Sequence, residues 1–197
     1  MSVPVQSRAE SLIEALPYIQ KFRGKLFVIK YGGSAMEDDA VIDRLLRDIV
    51  LLEAVGINPV VIHGGGKAIS QRMRETGQKP RFVNGLRVTD GTAILVVESV
   101  LDGIVNPDIA ARIVKFGGRA EGIHGKTVLI GKKLPLQTDG SEKVDLGFVG
   151  EVTEVRTGPI LDAVHREVVP VISPLARDGA GVIYNINADI AAASVAG

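Results

Sequence analysis

Two short apolar runs each end in consecutive glycines and pass into a helix-forming segment, and this arrangement restricts the fold more than any other feature of the chain. KLFVIKY (25–31) ends at Gly32-Gly33, and NPVVIH (58–63) ends at Gly64-Gly65-Gly66. Near-continuous apolar runs of this length, bounded by glycine, read as strands buried on both faces. Asp39 to Val55 has helical spacing and is ended by Gly56, and Lys67 to about Thr76 reads as a second helix. The β-α-β-α order predicts a parallel sheet with helices on its faces. Strands in such a sheet deliver their carboxyl-end turns to one edge, where ligands bind.

The remaining segments extend this pattern. Residues 7–22 form an amphipathic helix carrying Leu12, Ile13, Leu16, Ile19 and Phe22, which Pro17 is expected to kink or split. Its apolar stripe suits docking on another subunit or packing on its own domain. RFVNGLRVT (81–89) has Asn84-Gly85 between extended flanks, a hairpin signal. A helix follows at about 92–116, with a break or kink expected near Asp102-Gly103 and Asn106-Pro107, and is ended by Gly117-Gly118. Next come a strand at about 126–131, a polar stretch with Asp139-Gly140, an extended pair at about 143–155 and a short helix at about 158–166. VVPVIS (168–173) is another buried strand, a glycine-rich turn at 178–181 precedes VIYNIN (182–187), and Ala188 to Gly197 begins a helix.

Lys plus Arg and Asp plus Glu each number 23, so the formal net charge is zero. Without a basic excess, nucleic acid and acidic membrane surfaces are not expected partners. The absence of cysteine excludes disulfides, zinc–thiolate and iron–sulfur sites and thiol nucleophiles, and suits a reducing cytosol. No apolar run approaches a membrane span, and MSVPVQSRAESLIEAL lacks the order of a signal peptide. A cytoplasmic protein is expected.

Four constellations carry chemistry. Lys30-Tyr31-Gly32-Gly33-Ser34 and His63-Gly64-Gly65-Gly66-Lys67 each place glycines between a buried strand and a helix. Exposed backbone amides and helix starts there favour an anion, the bland alternative being a tight turn beside a charged strand end. In Asn84-Gly85-Leu86-Arg87-Val88-Thr89 an arginine beside a turn can present its planar fork to a carboxylate or stay solvated. In Asn185-Ile186-Asn187-Ala188-Asp189 the polar residues suit either a helix cap or ligand contact. Neither glycine loop is a Walker A motif: Gly125-Lys126-Thr127 matches the end of that pattern, but position 120 is alanine. G-x-G-x-x-G fails at Ile69, and G-x-S-x-G does not occur. His63, His124 and His165 lack metal-ligand spacing and read as structural, with His63 placed to hold the glycine loop.

These constellations, in this order, resemble the acetylglutamate kinases of the amino-acid kinase family. The resemblance runs from about Leu26 to Gly197 through KYGGSAM, VIHGGGKAIS, RFVNGLRVTD, VDLGFVGEV and NINAD. It implies a three-layer α/β/α sandwich with a mainly parallel central sheet, binding N-acetyl-L-glutamate in the amino-terminal half and ATP with Mg2+ mainly in the carboxyl-terminal half. By the resemblance, Lys30 neutralises the transferred phosphoryl group and Asp189 organises the catalytic lysines. Gly65, Gly66, Arg87 and Asn185 contact the substrate, while Gly32, Gly33 and Gly64 line the phosphates.

Residues 1–24 resemble the kinked extension that joins dimers into hexamers in arginine-inhibited members, and 25–197 the acetylglutamate-binding lobe. L-Arginine is therefore an expected inhibitor, and a homodimer or hexamer the expected assembly. Family members continue past NINAD through a nucleotide-binding half with a second lysine. A fragment or shortened form, inactive by itself, is the expectation. Another kinase of the family, or a non-catalytic binding module, is the alternative.

Overall fold

The computed structural model of the chain describes residues 5–36, 38–140 and 142–197, so residues 1–4 of the segment 1–24 lie outside the described residues. Helix α1 (Val5–Phe22) leads into β1 (Leu26–Tyr31), a 3₁₀ turn at Gly33–Met36, α2 (Asp39–Ala54), β2 (Asn58–His63) and α3 (Gly66–Glu75). The hairpin strands β3 (Phe82–Val83) and β4 (Leu86–Arg87) precede α4 (Gly91–Val100), a π-helical turn at Leu101–Val105 and α5 (Asn106–Lys115). Then follow β5 (Ala120–Ile123), the short α6 (Gly125–Val128), β6 (Leu129–Lys133), β7 (Gln137–Asp139), β8 (Glu142–Val144) and β9 (Val149–Val155). The chain continues with α7 (Gly158–His165), β10 (Val169–Ile172), β11 (Leu175–Arg177), β12 (Ile183–Ile186) and α8 (Ala188–Ala196).

The main sheet has the order β1-β2-β10-β5 and is parallel throughout. Its register sets Tyr31 beside His63, Ile172 beside Ile62, and Ile123 beside Ile172, so the carboxyl ends of all four strands are nearly level. Side chains alternate across the sheet. Val61 faces a core built with Leu46 of α2, Met73 of α3, Val97 of α4 and Ile113 of α5. Val60 and Ile62 face a second core with Ile160 of α7 and Ala191 of α8. The result is the three-layer α/β/α arrangement expected. The same alternation puts Lys30 on the face of Val28, towards α8.

Strands β11, β12, β9 and β6 close into a small barrel beside this sandwich, which the apolar pattern did not predict. The extended pair expected at 143–155 is divided: β8 pairs with β7, and β9 joins the barrel through β6 and β12. The strand expected at 126–131 begins later, at Leu129, because Gly125–Val128 winds into a helical turn held by Ser173 Oγ accepting from Gly125 N at 2.8 Å. Three strands were missed: β5, a half-exposed edge strand of sequence AEGI, β7 in the expected polar stretch, and the three-residue β11. Helix α1 runs unbroken across Pro17, so the split is not found. At the break or kink expected near Asp102 and Asn106 a π-helical turn joins α4 to α5, with Pro107 in the first turn of α5.

Ile62 is fully buried in the second core, whereas Leu26, at the start of edge strand β1, is 49% exposed. Ile62→Ala is expected to destabilise the chain by about 2–5 kcal/mol in urea unfolding, and Leu26→Ala by no more than about 1 kcal/mol. Equal losses would contradict this placement of the core.

Candidate functional site

Level parallel strands bring the two glycine turns together. Gly64 N donates to Tyr31 O at 2.6 Å. A side-chain carbon built on Gly32 would lie 3.4 Å from Gly64 Cα, and one on Gly64 would lie 3.3 Å from Gly32 Cα. The turns therefore touch backbone to backbone, and Gly33 bends away with φ 65°. They form one wall of a cleft of about 620 Å³, lined by Lys30, Gly32 and Gly33 from the first turn, Gly64, Gly65 and Gly66 from the second, and Asp189 from α8.

Lys30 Nζ lies 3.1 Å from Asp189 Oδ1 in this cleft. Asp189 stands in the first turn of α8, whose start is capped by Asn187 Oδ1 accepting from Asp189 N at 2.8 Å. Both charges are partly exposed, so their pairing orients the ammonium more than it stabilises the fold.

A second cleft of about 160 Å³ shares Gly64, Gly65 and Gly66 with the first and adds Arg87 and Asn185. Its outer wall is the hairpin. Asn84 and Gly85 have φ 50° and 77°, the backbone of a tight two-residue turn that favours Asn-Gly. The register sets Phe82 opposite Arg87, with the Phe82 ring centroid 4.7 Å from the guanidinium carbon. Arg87 Nη2 donates to Gly66 O and Ser70 Oγ, each at 2.8 Å. Burial, with the charge of Arg74, lowers the Arg87 pKa, yet a guanidinium stays charged in a protein. Asn185 Nδ2 donates weakly to Thr89 Oγ1 at 3.4 Å.

All nine residues singled out in the sequence thus line two joined clefts at the carboxyl edge of the sheet. Sequence reasoning missed Ser70 and Phe82. Ser70 lies one helical turn after Gly66, and Phe82 is the cross-strand partner of Arg87, so both follow once the hairpin is docked on α3.

His63 is wholly buried at the end of β2. Its Nδ1 is 2.7 Å from Gly64 O, and its Nε2 is 3.1 Å from Asn106 Nδ2. Burial drives its pKa down to about 4, against the opposing effects of the Gly64 hydrogen bond and the Asp102 charge. Among the described residues no group of three or more His, Cys, Asp or Glu side chains is arranged to hold a metal ion.

The fold thus sets both glycine turns, a lysine and a docked arginine around joined clefts at one sheet edge. Residues 25–197 match the model of the amino acid kinase family, and the chain belongs to that family. It is 50% identical over 196 residues to the acetylglutamate kinase of Methanocaldococcus jannaschii, covering 96% of this chain and 65% of that kinase. The chain thus spans somewhat less than two thirds of that relative. Among solved structures it resembles the N-acetylglutamate synthase of Neisseria gonorrhoeae complexed with coenzyme A and N-acetyl-glutamate, with TM-score 0.79 and 26% identity over 95% of this chain and 42% of that one. The same synthase complexed with coenzyme A and L-arginine gives TM-score 0.72 and 25% identity over 93% of this chain and 43% of that one.

The buried His63 predicts a pH dependence. Its pKa is 6.5 unfolded and about 4 folded, so between these values the unfolded chain takes up the extra proton. The associated stability is complete above the unfolded value and is lost as pH falls towards the folded one, by about 3 kcal/mol. Urea midpoints of the wild type should fall more steeply across this window than those of His63→Asn. Parallel profiles would contradict it.

Proposed function

We propose that this chain carries the acyl-amino-acid site of an acetylglutamate kinase, which uses ATP with Mg2+ to convert N-acetyl-L-glutamate to N-acetyl-L-glutamyl 5-phosphate in arginine biosynthesis. The observation that carries this reading is the convergence of Lys30, two glycine turns and Arg87 on joined clefts. The sequence relationship to an acetylglutamate kinase and the N-acetyl-glutamate held by a synthase of the same fold support it.

In this reading Arg87 clamps the α-carboxylate, aided by Asn185, while Gly65 and Gly66 donate to substrate oxygens. The side-chain carboxylate is already ionised at neutral pH and needs no general base. One of its oxygens bonds to the γ-phosphorus as the bond to the ADP oxygen breaks. Such a transfer asks the protein for positioning and charge neutralisation. The amides of Gly32 and Gly33 and the Lys30 ammonium supply them on this side, with Asp189 orienting Lys30, while the Gly64 amide is held by Tyr31 O and ties the two turns together. Magnesium, if bound with ATP, would supply further positive charge.

The amino-terminal helix extends the proposal to assembly and regulation. Leu12, Ile13 and Tyr18 of α1 are 70%, 69% and 67% exposed, which supports a second copy as their partner, a dimer growing to a hexamer, with L-arginine as feedback inhibitor. Removal of residues 1–20 is expected to lower the mass seen by sedimentation. An unchanged mass would end the assembly proposal.

Calorimetric titration tests the site itself. N-acetyl-L-glutamate should bind, and L-glutamate more weakly. Arg87→Lys, which loses the planar fork, should weaken binding about tenfold or more, whereas Lys30→Ala should change it little. In a kinase carrying these residues, with hydroxylamine trapping the acyl phosphate, Lys30→Ala should lower kcat by about 100- to 1,000-fold. Absence of saturable binding, or a Lys30→Ala enzyme with unaltered kcat, would reject the assignment.

A further inference from the structure

Asn106 sits where the π-helical turn passes into α5, and it is buried with 2% exposure. Its amide nitrogen lies 2.8 Å from Val171 O and 3.1 Å from His63 Nε2. A carbonyl oxygen only accepts, which fixes the orientation of the amide. An amide nitrogen only donates, so His63 Nε2 must present its lone pair. The hydrogen of the neutral imidazole is then on Nδ1, where it is donated to Gly64 O at 2.7 Å. The Asn106 carbonyl oxygen lies against the Cα of Gly122, where any side-chain carbon would collide with it. One side chain therefore reaches β2, β10 and β5.

The consequence lies in the next peptide. No peptide bond among the described residues is cis, and the carbonyl and N–H of a trans peptide point in opposite directions. With Gly64 O drawn inward to His63, the N–H of Gly65 is turned outward, towards the clefts that Gly65 lines. Leu101, in the same π-helical turn, packs against Gly65 where a side-chain carbon would stand.

We propose that Asn106 is a positioning residue for the glycine cradle: by donating to His63 it fixes the imidazole tautomer that holds the Gly64 carbonyl inward and aims the Gly65 amide at the oxygens of a bound ligand. The π-helical turn brings Asn106 over the strand ends, consistent with the frequent placement of such turns at functional sites. The inference rests on the acetylglutamate reading for the identity of its ligand and on nothing else in it.

Nitrogen NMR of the wild-type chain at pH 7 is expected to show His63 protonated at Nδ1 and unprotonated at Nε2; the opposite tautomer overturns the proposal. Asn106→Asp puts an acceptor where the donor stood. It should move the proton to Nε2 or make an imidazolium, and weaken N-acetyl-L-glutamate binding roughly tenfold or more. A second pair separates positioning from packing. His63→Asn keeps an N–H near the Nδ1 position, whereas His63→Gln keeps only a group near Nε2 while matching the ring better in size. Asn binding ligand more tightly than Gln supports the relay, and the reverse order overturns it. Should the wild type bind no N-acetyl-L-glutamate, the ligand assignment fails, and the His63 tautomer in wild type and in Asn106→Asp still decides the positioning role.

Discussion

The contact between Gly32 and Gly64 is the constraint on which the rest of the site depends. Two parallel strands in level register must end together, and their turns then compete for the same space. A β-carbon at either position would press on the backbone of the other turn and ask it to give by a few tenths of an ångström, at the place where both turns border one cleft. Glycine here serves close approach of backbone to backbone, and the cleft follows from that approach.

The elements around the turns fix what the cleft presents. Period-two alternation directs Lys30 to the α8 face, where Asp189 meets it at 3.1 Å. The hairpin docks Arg87 against α3, and the barrel supplies Asn185 at the end of β12. Positive groups thus come from the strand edge and the hairpin, while the polar, uncharged donors come from turns. The dianion proposed as substrate would meet both kinds of donor there.

How far the sequence disclosed this differs from one element to the next, for physical reasons. Strands β2 and β10 were legible because burial on both faces makes them continuous apolar runs, whereas β1, expected to be buried likewise, is a half-exposed edge strand that was legible only through its apolar run LFVI. Strand β5 was not, since an edge strand reading AEGI has little apolar surface to hide. The barrel escaped notice because its pairing joins β6 to β9 and β9 to β12 across intervening loops, which local pattern does not encode. Arg87 was legible through the Asn-Gly turn chemistry beside it. Ser70, Phe82 and Asn106 were not, because their roles arise only when the hairpin meets α3 and the π-helical turn crosses the strand ends. Asn106-Pro107 read as a helix break or kink, and the irregularity there takes the form of a π-helical turn from which α5 continues.

The central claim is that the joined glycine turns receive negative charge. An indentation of about 430 Å³ at the opposite end of the sheet, lined by Arg23, Glu53 and Arg119 among others, offers a direct comparison within the same molecule. Amide chemical shifts followed while the chain is titrated with N-acetyl-L-glutamate tell the two apart. The account predicts the largest shifts at Gly64, Gly65, Gly66 and Arg87; shifts confined to Arg23, Gly56 and Arg119, with the glycine turns unmoved, would contradict it.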